Sequence, residues 1–197
     1  MDQTVVQQGM TLDEYIRRMD DDSEPRFEII NGEVVPMSPS VSGSGYMASK
    51  LMKLIWPIIL SKQLGELFSE MTFVLPNADS STWVTGSRTP DLMFISAARF
   101  SAFNDTNPGW QERPLALVPD LVIEIISPTD QMATVLKKVA LYLEDGVQIV
   151  WVVNRKHQSI TVYTLSDEPM VLTGDQILSG GALIPGFSTH VRVLFED

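Results

Sequence analysis

The order of elements along this chain predicts an α/β fold, a mixed sheet flanked by helices with an N-terminal helix and a β-hairpin. Three observations carry that expectation. Asn31-Gly32 separates two short apolar runs. A near-continuous β-branched run, Leu121 to Ile126, has the character of a strand buried on both faces at the centre of a sheet. Between that run and another strand-like run at Gln148 to Asn154 lies a segment with helical apolar spacing, Asp130 to Glu144.

Taken in order, Thr11-Leu12-Asp13-Glu14 reads as a capping box opening a short helix to about Met19. Arg26 to Ile30 and Glu33 to Met37 flank Asn31-Gly32, the strongest short hairpin signal, because both turn residues tolerate positive φ. Ser38 to Gly45 is a polar loop, and Tyr46 to about Gln63 is apolar at helical spacing. Pro57 is expected to kink or split that helix, and Gly65 to stop it. Glu66 to Leu75 and Pro90 to Ser96 read as strands, the first extending towards Trp83 after a turn at Asn77–Ser81. Asn104 to Arg113 is a loop. The helix from Asp130 closes at Asp145-Gly146, and Gln148 to Asn154 pairs with Ser159 to Leu165. The remainder holds one or two short strands and a C-terminal turn.

Composition limits the function classes. The 197 residues, 44% hydrophobic, suit a single domain over 1–197. Without cysteine there are no disulfides, thiolate zinc sites or cysteine nucleophile. A cytoplasmic location is expected, since the N-terminal stretch lacks the charge and apolar run of a secretory signal and no run is long enough to span a membrane. The net charge is −11, with nine of the 25 acids in residues 1–36. Such a chain binds nucleic acid poorly unless a divalent cation or a local basic patch offsets the repulsion. No phosphate-binding loop or dinucleotide fingerprint is present. Ser/His/Asp catalysis lacks a suitable histidine, since His157 sits in a hairpin turn and His190 near the C-terminus.

The residues that can carry chemistry are few. Glu124 puts one carboxylate in the middle of the most apolar strand, where a charge is costly unless paired or bound to a cation. Asp91 follows Pro90 and opens the strand Leu92 to Ile95. Asp120, in the second Pro-Asp pair, reads as the residue at a strand start. On a helical wheel of about 100° per residue, Met132, Val135, Leu136, Val139, Ala140, Tyr142 and Leu143 share one broad face. Lys138 lies at its edge and Lys137 on the solvent side. The Lys138 stem can follow the apolar surface while its ammonium points towards the strand, although the wheel alone describes an ordinary surface lysine equally well.

Four blocks then carry a resemblance. They are Arg26 to Val35 with Met37-Ser38-Pro39; Thr89-Pro90-Asp91-Leu92; Pro119 to Pro128; and Lys138-Val139-Ala140-Leu141-Tyr142 running on through Gly146-Val147 to Val150-Trp151-Val152-Val153. In this order they resemble a large bacterial family of restriction-endonuclease-like proteins, formerly a domain of unknown function, within the PD-(D/E)XK nuclease superfamily. The resemblance is strongest over 11–165. It implies a restriction-endonuclease-like fold and a metal-dependent endonuclease hydrolysing phosphodiester bonds, with DNA the expected substrate. It implies that Asp91 and Glu124 are the metal-binding acids and that Mg²⁺ or Mn²⁺ is the cofactor, which suits carboxylate ligands. The motif's lysine normally stands two residues after the second acid. Ile126 occupies that position, and the family pattern Lys-x-x-x-Tyr points to Lys138 instead. Glu28 matches the family's hairpin glutamate and is the fourth catalytic candidate; a cross-strand partner for Arg26 or an exposed strand residue describes it equally well. A homodimer would let two sites address two strands. One feature departs from the family: residues 40–46 hold no histidine, where many members carry one. A catalytically degenerate member acting as a binding or assembly module is therefore the alternative. A glycosidase using the same two acids is a third, and requires them to face each other across an open cleft.

Overall fold

The computed structural model describes residues 9–37, 42–77, 80–127 and 130–196. The chain divides into two compact units. The first comprises 1–39, 72–89 and 108–117; the second comprises 40–71, 90–107 and 118–197.

In the first unit, β1 (Met10–Thr11) leads into α1 (Leu12–Met19), and the Thr11 side chain accepts the Glu14 amide as the capping pattern predicts. β2 (Phe27–Ile30) and β3 (Glu33–Pro36) form the expected hairpin, with Asn31 and Gly32 both at positive φ (51° and 80°). The rest of this unit's β-structure is the three-stranded sheet β1-β6-β5. The segment β5 (Phe73–Asn77) precedes β6 (Ser80–Arg88). Its core is Met10, Tyr15, Phe27, Ile29, Val74 and Val84.

The second unit begins with α2 (Ser42–Lys62), followed by β4 (Gly65–Ser69), β7 (Leu92–Ser96) and α3 (Ala97–Thr106). Then come β8 (Leu121–Ile126), α4 (Met132–Glu144), β9 (Ile149–Asn154), β10 (Ser159–Thr164) and β11 (Met170–Thr173). The chain finishes with β12 (Ile177–Ser179), β13 (Ser188–His190) and α5 (Val191–Phe195). Six strands form one mixed sheet in the order β11-β10-β9-β8-β7-β4. β8 lies in its interior, parallel to β9 and antiparallel to β7. This is the helix-flanked mixed sheet expected from the sequence.

Strand alternation divides β8 between two faces. Leu121, Ile123 and Ile125 join Met47, Leu51, Ile55 and Ile59 of α2 in the main core. Val122, Glu124 and Ile126 therefore point to the opposite face, the one on which α4 lies. Among the described residues, no helix is long and apolar enough to cross a membrane.

Several local expectations need correcting. α2 starts at Ser42, inside the segment expected to be a loop, and it runs through Pro57 unbroken. Pro57 and Lys53 are both exposed, so the missing helical hydrogen bond falls on a face of α2 that borders solvent. Gly65 does not stop this helix. Gln63 adopts the left-handed conformation (φ 52°), and the Leu64 amide returns to the Ile59 carbonyl in a Schellman arrangement. Gly65 instead opens β4 beside β7, where a Cβ would lie 2.0 Å from the Ile95 carbonyl oxygen. The single strand expected over Glu66 to Leu75 is two strands in different sheets, and Glu70 makes the break with a φ of 49°. α3 covers ten residues that showed no helical pattern, and the C-terminal region holds three strands and α5. The buried face of α4 is narrower than the wheel suggested: Val139 and Tyr142 are buried, whereas Met132, Leu136 and Ala140 are exposed. Ser38, Pro39 and Pro128 of the family-like blocks lie outside the described residues.

The exposed position of Pro57 gives a stability test. Proline costs roughly 3 kcal/mol relative to alanine inside a helix, offset by about 1 kcal/mol or less through the stiffer unfolded chain. Pro57→Ala is expected to stabilise the protein by about 2 kcal/mol in urea unfolding. An unchanged or lower midpoint would show that the proline serves the fold.

Candidate active site

The site is set by the register between two neighbouring strands. β7 pairs with β8 as Leu92↔Ile123, Met93↔Val122 and Phe94↔Leu121. Continuing the ladder by one residue puts Asp91 opposite Glu124. Leu92, Phe94, Leu121 and Ile123 all face the main core, so alternation turns Asp91 and Glu124 together onto the other face. Residues directly opposite in an antiparallel pair hold their Cβ atoms about 5 Å apart. The Asp91 Oδ2 accepts the Ile125 amide at 2.6 Å, which ties the aspartate to the strand carrying Glu124. The Asp91 carbonyl in turn accepts the Glu70 amide at 3.1 Å.

Glu124 is held from α4. Its side chain is 15% exposed, and the Lys138 ammonium lies 3.0 Å from Oε1. The fully buried Tyr142 donates its phenolic O–H to the same oxygen. Lys138 and Tyr142 stand one helical turn apart on one side of α4, and the Lys138 ammonium lies 5.9 Å from the centre of the Tyr142 ring. Lys137 is exposed, as expected.

The electrostatics reflect this crowding. Burial, and then the neighbouring Glu124 carboxylate, push the Asp91 carboxyl up to about 7. Glu70 pushes the same way, while the Ile125 amide and Lys138 oppose the shift. Two acids with one lysine leave the face short of positive charge.

The other candidates divide clearly. Glu28 belongs to the first unit. It is buried, and its Oε1 accepts the Thr89 amide at 2.8 Å, two residues ahead of Asp91 in the chain. The exposed-strand description of Glu28 is therefore wrong. Asp120 is 1% exposed and accepts from the Ser96 amide, from Arg99 (2.8 Å each) and from Gln148. It ties the start of β8 to α3 and to the segment before β9, a structural task. His157 and His190 are both exposed. Tyr142 and Glu70 were not singled out by sequence reasoning. The spacing of Lys138 and Tyr142 at i, i+4 was the available signal for the tyrosine, and nothing marked Glu70.

A divalent cation fits this donor set. Among the described residues, no group of three or more Asp, Glu, His or Cys converges to hold a metal. Mg²⁺, however, typically binds through one or two carboxylates and completes its shell with water and phosphate. A carboxyl pushed up to about 7 by a second carboxylate is also one that a cation would relieve.

Comparison with known proteins gives the family and the fold. A family model described as "Putative restriction endonuclease" matches residues 12–192. The chain belongs to the Uma2 family. The structure of a putative nuclease belonging to DUF820, from Anabaena variabilis ATCC 29413, matches with a TM-score of 0.73 at 21% identity, over 94% of this chain and 97% of its own. At that identity the likeness concerns the fold, and the fold is the restriction-endonuclease-like one that the sequence resemblance implied. No curated protein matches. The two acids that the sequence resemblance pointed to, Asp91 and Glu124, are the residues that stand opposite each other across β7 and β8.

Two outcomes are expected. The raised Asp91 pKa means that the native state keeps a proton which the unfolded chain, at 3.8, releases. That contribution to stability is full below about pH 4 and is lost as the pH rises through about 7. Metal-free protein should therefore melt at lower temperature at pH 8 than at pH 5.5, and Asp91→Asn should flatten the difference; parallel profiles would contradict the assignment. Asp120→Ala leaves three donors without an acceptor, one of them on Arg99, which is 39% exposed. It should destabilise by about 2–3 kcal/mol in urea unfolding, against about 1 kcal/mol or less for Arg99→Ala.

Proposed function

We propose that this Uma2 protein is a divalent-cation-dependent endonuclease that hydrolyses phosphodiester bonds in DNA. The observation that carries the reading is the convergence of Asp91 and Glu124 on one sheet face with Lys138 against Glu124. Asp91 and Glu124 would hold Mg²⁺ or Mn²⁺, which supplies charge to polarise a phosphate and to lower the pKa of water. Asp91 is oriented for this by the Ile125 amide. Lys138, half-buried with a flexible stem, would orient the attacking water or steady charge developing on the phosphate. Glu28, the fourth candidate that the resemblance named, is buried within the first unit, where the Thr89 amide donates to its carboxylate. A single-domain, cytoplasmic enzyme fits the reading.

A second reading remains, a degenerate member acting as a binding or assembly module. It is favoured by the net charge of −11 and by Oε1 of Glu124, which already has two donors from within the protein. The glycosidase reading loses support, because acids paired across adjacent strands of one sheet do not face each other across an open cleft.

Supercoiled plasmid with Mg²⁺ or Mn²⁺ separates the two. The nuclease reading expects nicking by the wild type and by Lys137→Met, and a loss of at least about 100-fold in Asp91→Asn, Glu124→Gln and Lys138→Met. It also expects Mn²⁺ to raise the melting temperature of the wild type by mass action, and of Glu124→Gln much less. A fully active Lys138→Met would refute the lysine's role. A wild type inactive on every DNA and RNA tried would favour the binding module.

A further inference from the structure

We propose that Tyr142 is the positioning residue of the cation site, holding Glu124 in place so that its orientation does not depend on Lys138. The inference rests on the cation-site reading above. Oε1 of Glu124 receives two donors from successive turns of α4, and they differ in kind. Lys138 is 26% exposed and ends in an ammonium with three rotatable donors on a four-carbon stem. Such a group neutralises charge without fixing the rotation of its partner. Tyr142 is fully buried, its ring orientation is set by two torsions, and its O–H supplies a single directed hydrogen bond.

The anchor beneath Tyr142 is also firm. Its own carbonyl accepts the Val147 amide in the turn that closes α4 at Asp145-Gly146, with Gly146 at φ 104°. A residue locked by burial and by a helix cap is suited to hold a carboxylate that must present its other oxygen to a cation. Groups that orient metal ligands in this way typically change metal affinity or activity by 10- to 100-fold when removed.

The division of labour has a consequence. If Lys138 alone held Glu124, any movement of the ammonium towards a phosphate or a water would release the ligand. With the phenol in place, Lys138 can move while Glu124 stays oriented. The tyrosine does not touch the reacting atoms, and its effect reaches them through Glu124.

The test is Tyr142→Phe, which keeps the ring and removes only the hydroxyl. Mn²⁺ binding is measured by calorimetry on the wild type and the variant, alongside thermal melts and plasmid nicking across a Mn²⁺ series. The proposal expects a melting temperature within a few degrees of wild type and Mn²⁺ affinity weakened about 10- to 100-fold. It also expects most of the nicking rate to return at saturating Mn²⁺, with the KM for DNA unchanged. Unchanged Mn²⁺ affinity in folded Tyr142→Phe would overturn it, as would a rate loss that saturating Mn²⁺ does not restore. A wild type that binds no Mn²⁺ would overturn it too, since there would be no ligand to orient.

If the wild type binds Mn²⁺ but cleaves nothing, the nuclease reading fails while the affinity comparison still decides the role of Tyr142. Should Tyr142→Phe not fold, ¹³C-labelled tyrosine in the wild type carries the test. Mg²⁺ is then expected to shift the Tyr142 ring signals and leave those of exposed Tyr46 in place; an unmoved Tyr142 signal overturns the proposal.

Discussion

The antiparallel register of β7 on β8 is the constraint on which the site depends. Leu92 against Ile123 places two core residues together, and one step further the same ladder places two acids together. A slip of one residue would turn Asp91 towards α2 and Glu124 away from it, so the site would be lost with the core. The apolar side chains that fill one face of β8 thereby specify the charged pair on the other. The energetic conflict of two facing carboxylates is held by packing that belongs to the other face of the sheet. It appears as an Asp91 carboxyl displaced by burial and by Glu124.

Sequence patterning revealed those parts of the molecule whose signals are local. The hairpin at Asn31-Gly32 and the Thr11 cap follow from side-chain and backbone preferences within four residues. The interior position of β8 follows from its continuous apolar run. The failures came where tertiary context chose between local options. Gln63 and Glu70 take left-handed backbone without being glycine, so neither the end of α2 nor the break between β4 and β5 carried a mark in the sequence. Pro57 stays helical on an exposed face of α2, where water can take the place of the missing hydrogen bond, and a linear reading cannot see which side of a helix is wet.

The site was legible to a different degree. The two Pro-Asp pairs look alike in sequence, yet their fates are opposite. Asp91 stands opposite another acid, whereas Asp120 is surrounded by donors from Ser96, Arg99 and Gln148. No periodicity separates them, because the difference lies in what the start of α3 and the segment before β9 bring near. The family resemblance singled out Asp91 and Glu124, and strand register supplies the physical reason that those two stand side by side, while Asp120 lies four residues back along the chain from Glu124. Lys138 was ambiguous on a helical wheel because its place at the edge of the buried stripe suits a surface lysine equally well. The exposure of Met132 and Leu136 shows how broad an apolar stripe can be without being covered.

The resemblance assigns the motif's lysine to α4, and the position of Lys138 beside Glu124 gives that assignment a structural logic. Position 126 lies two residues after Glu124 on the same face of β8, so a lysine there would approach the acid along the strand. Ile126 instead lines a cavity of about 350 Å³ with Met132, Val152 and Tyr163. Moving the cation to α4 changes what can accompany it. In a strand, the next residue on the same face lies about 7 Å further along and moves away from the acid. In a helix, the residue at i+4 sits directly above, within about 6 Å. Placing the lysine on α4 therefore makes room for a second donor one turn on, and Tyr142 fills that place. The strand-borne arrangement offers one positive group to one acid. The helix-borne arrangement offers an ammonium and a phenolic hydrogen bond to the same oxygen, so orientation and neutralisation need not be performed by the same side chain.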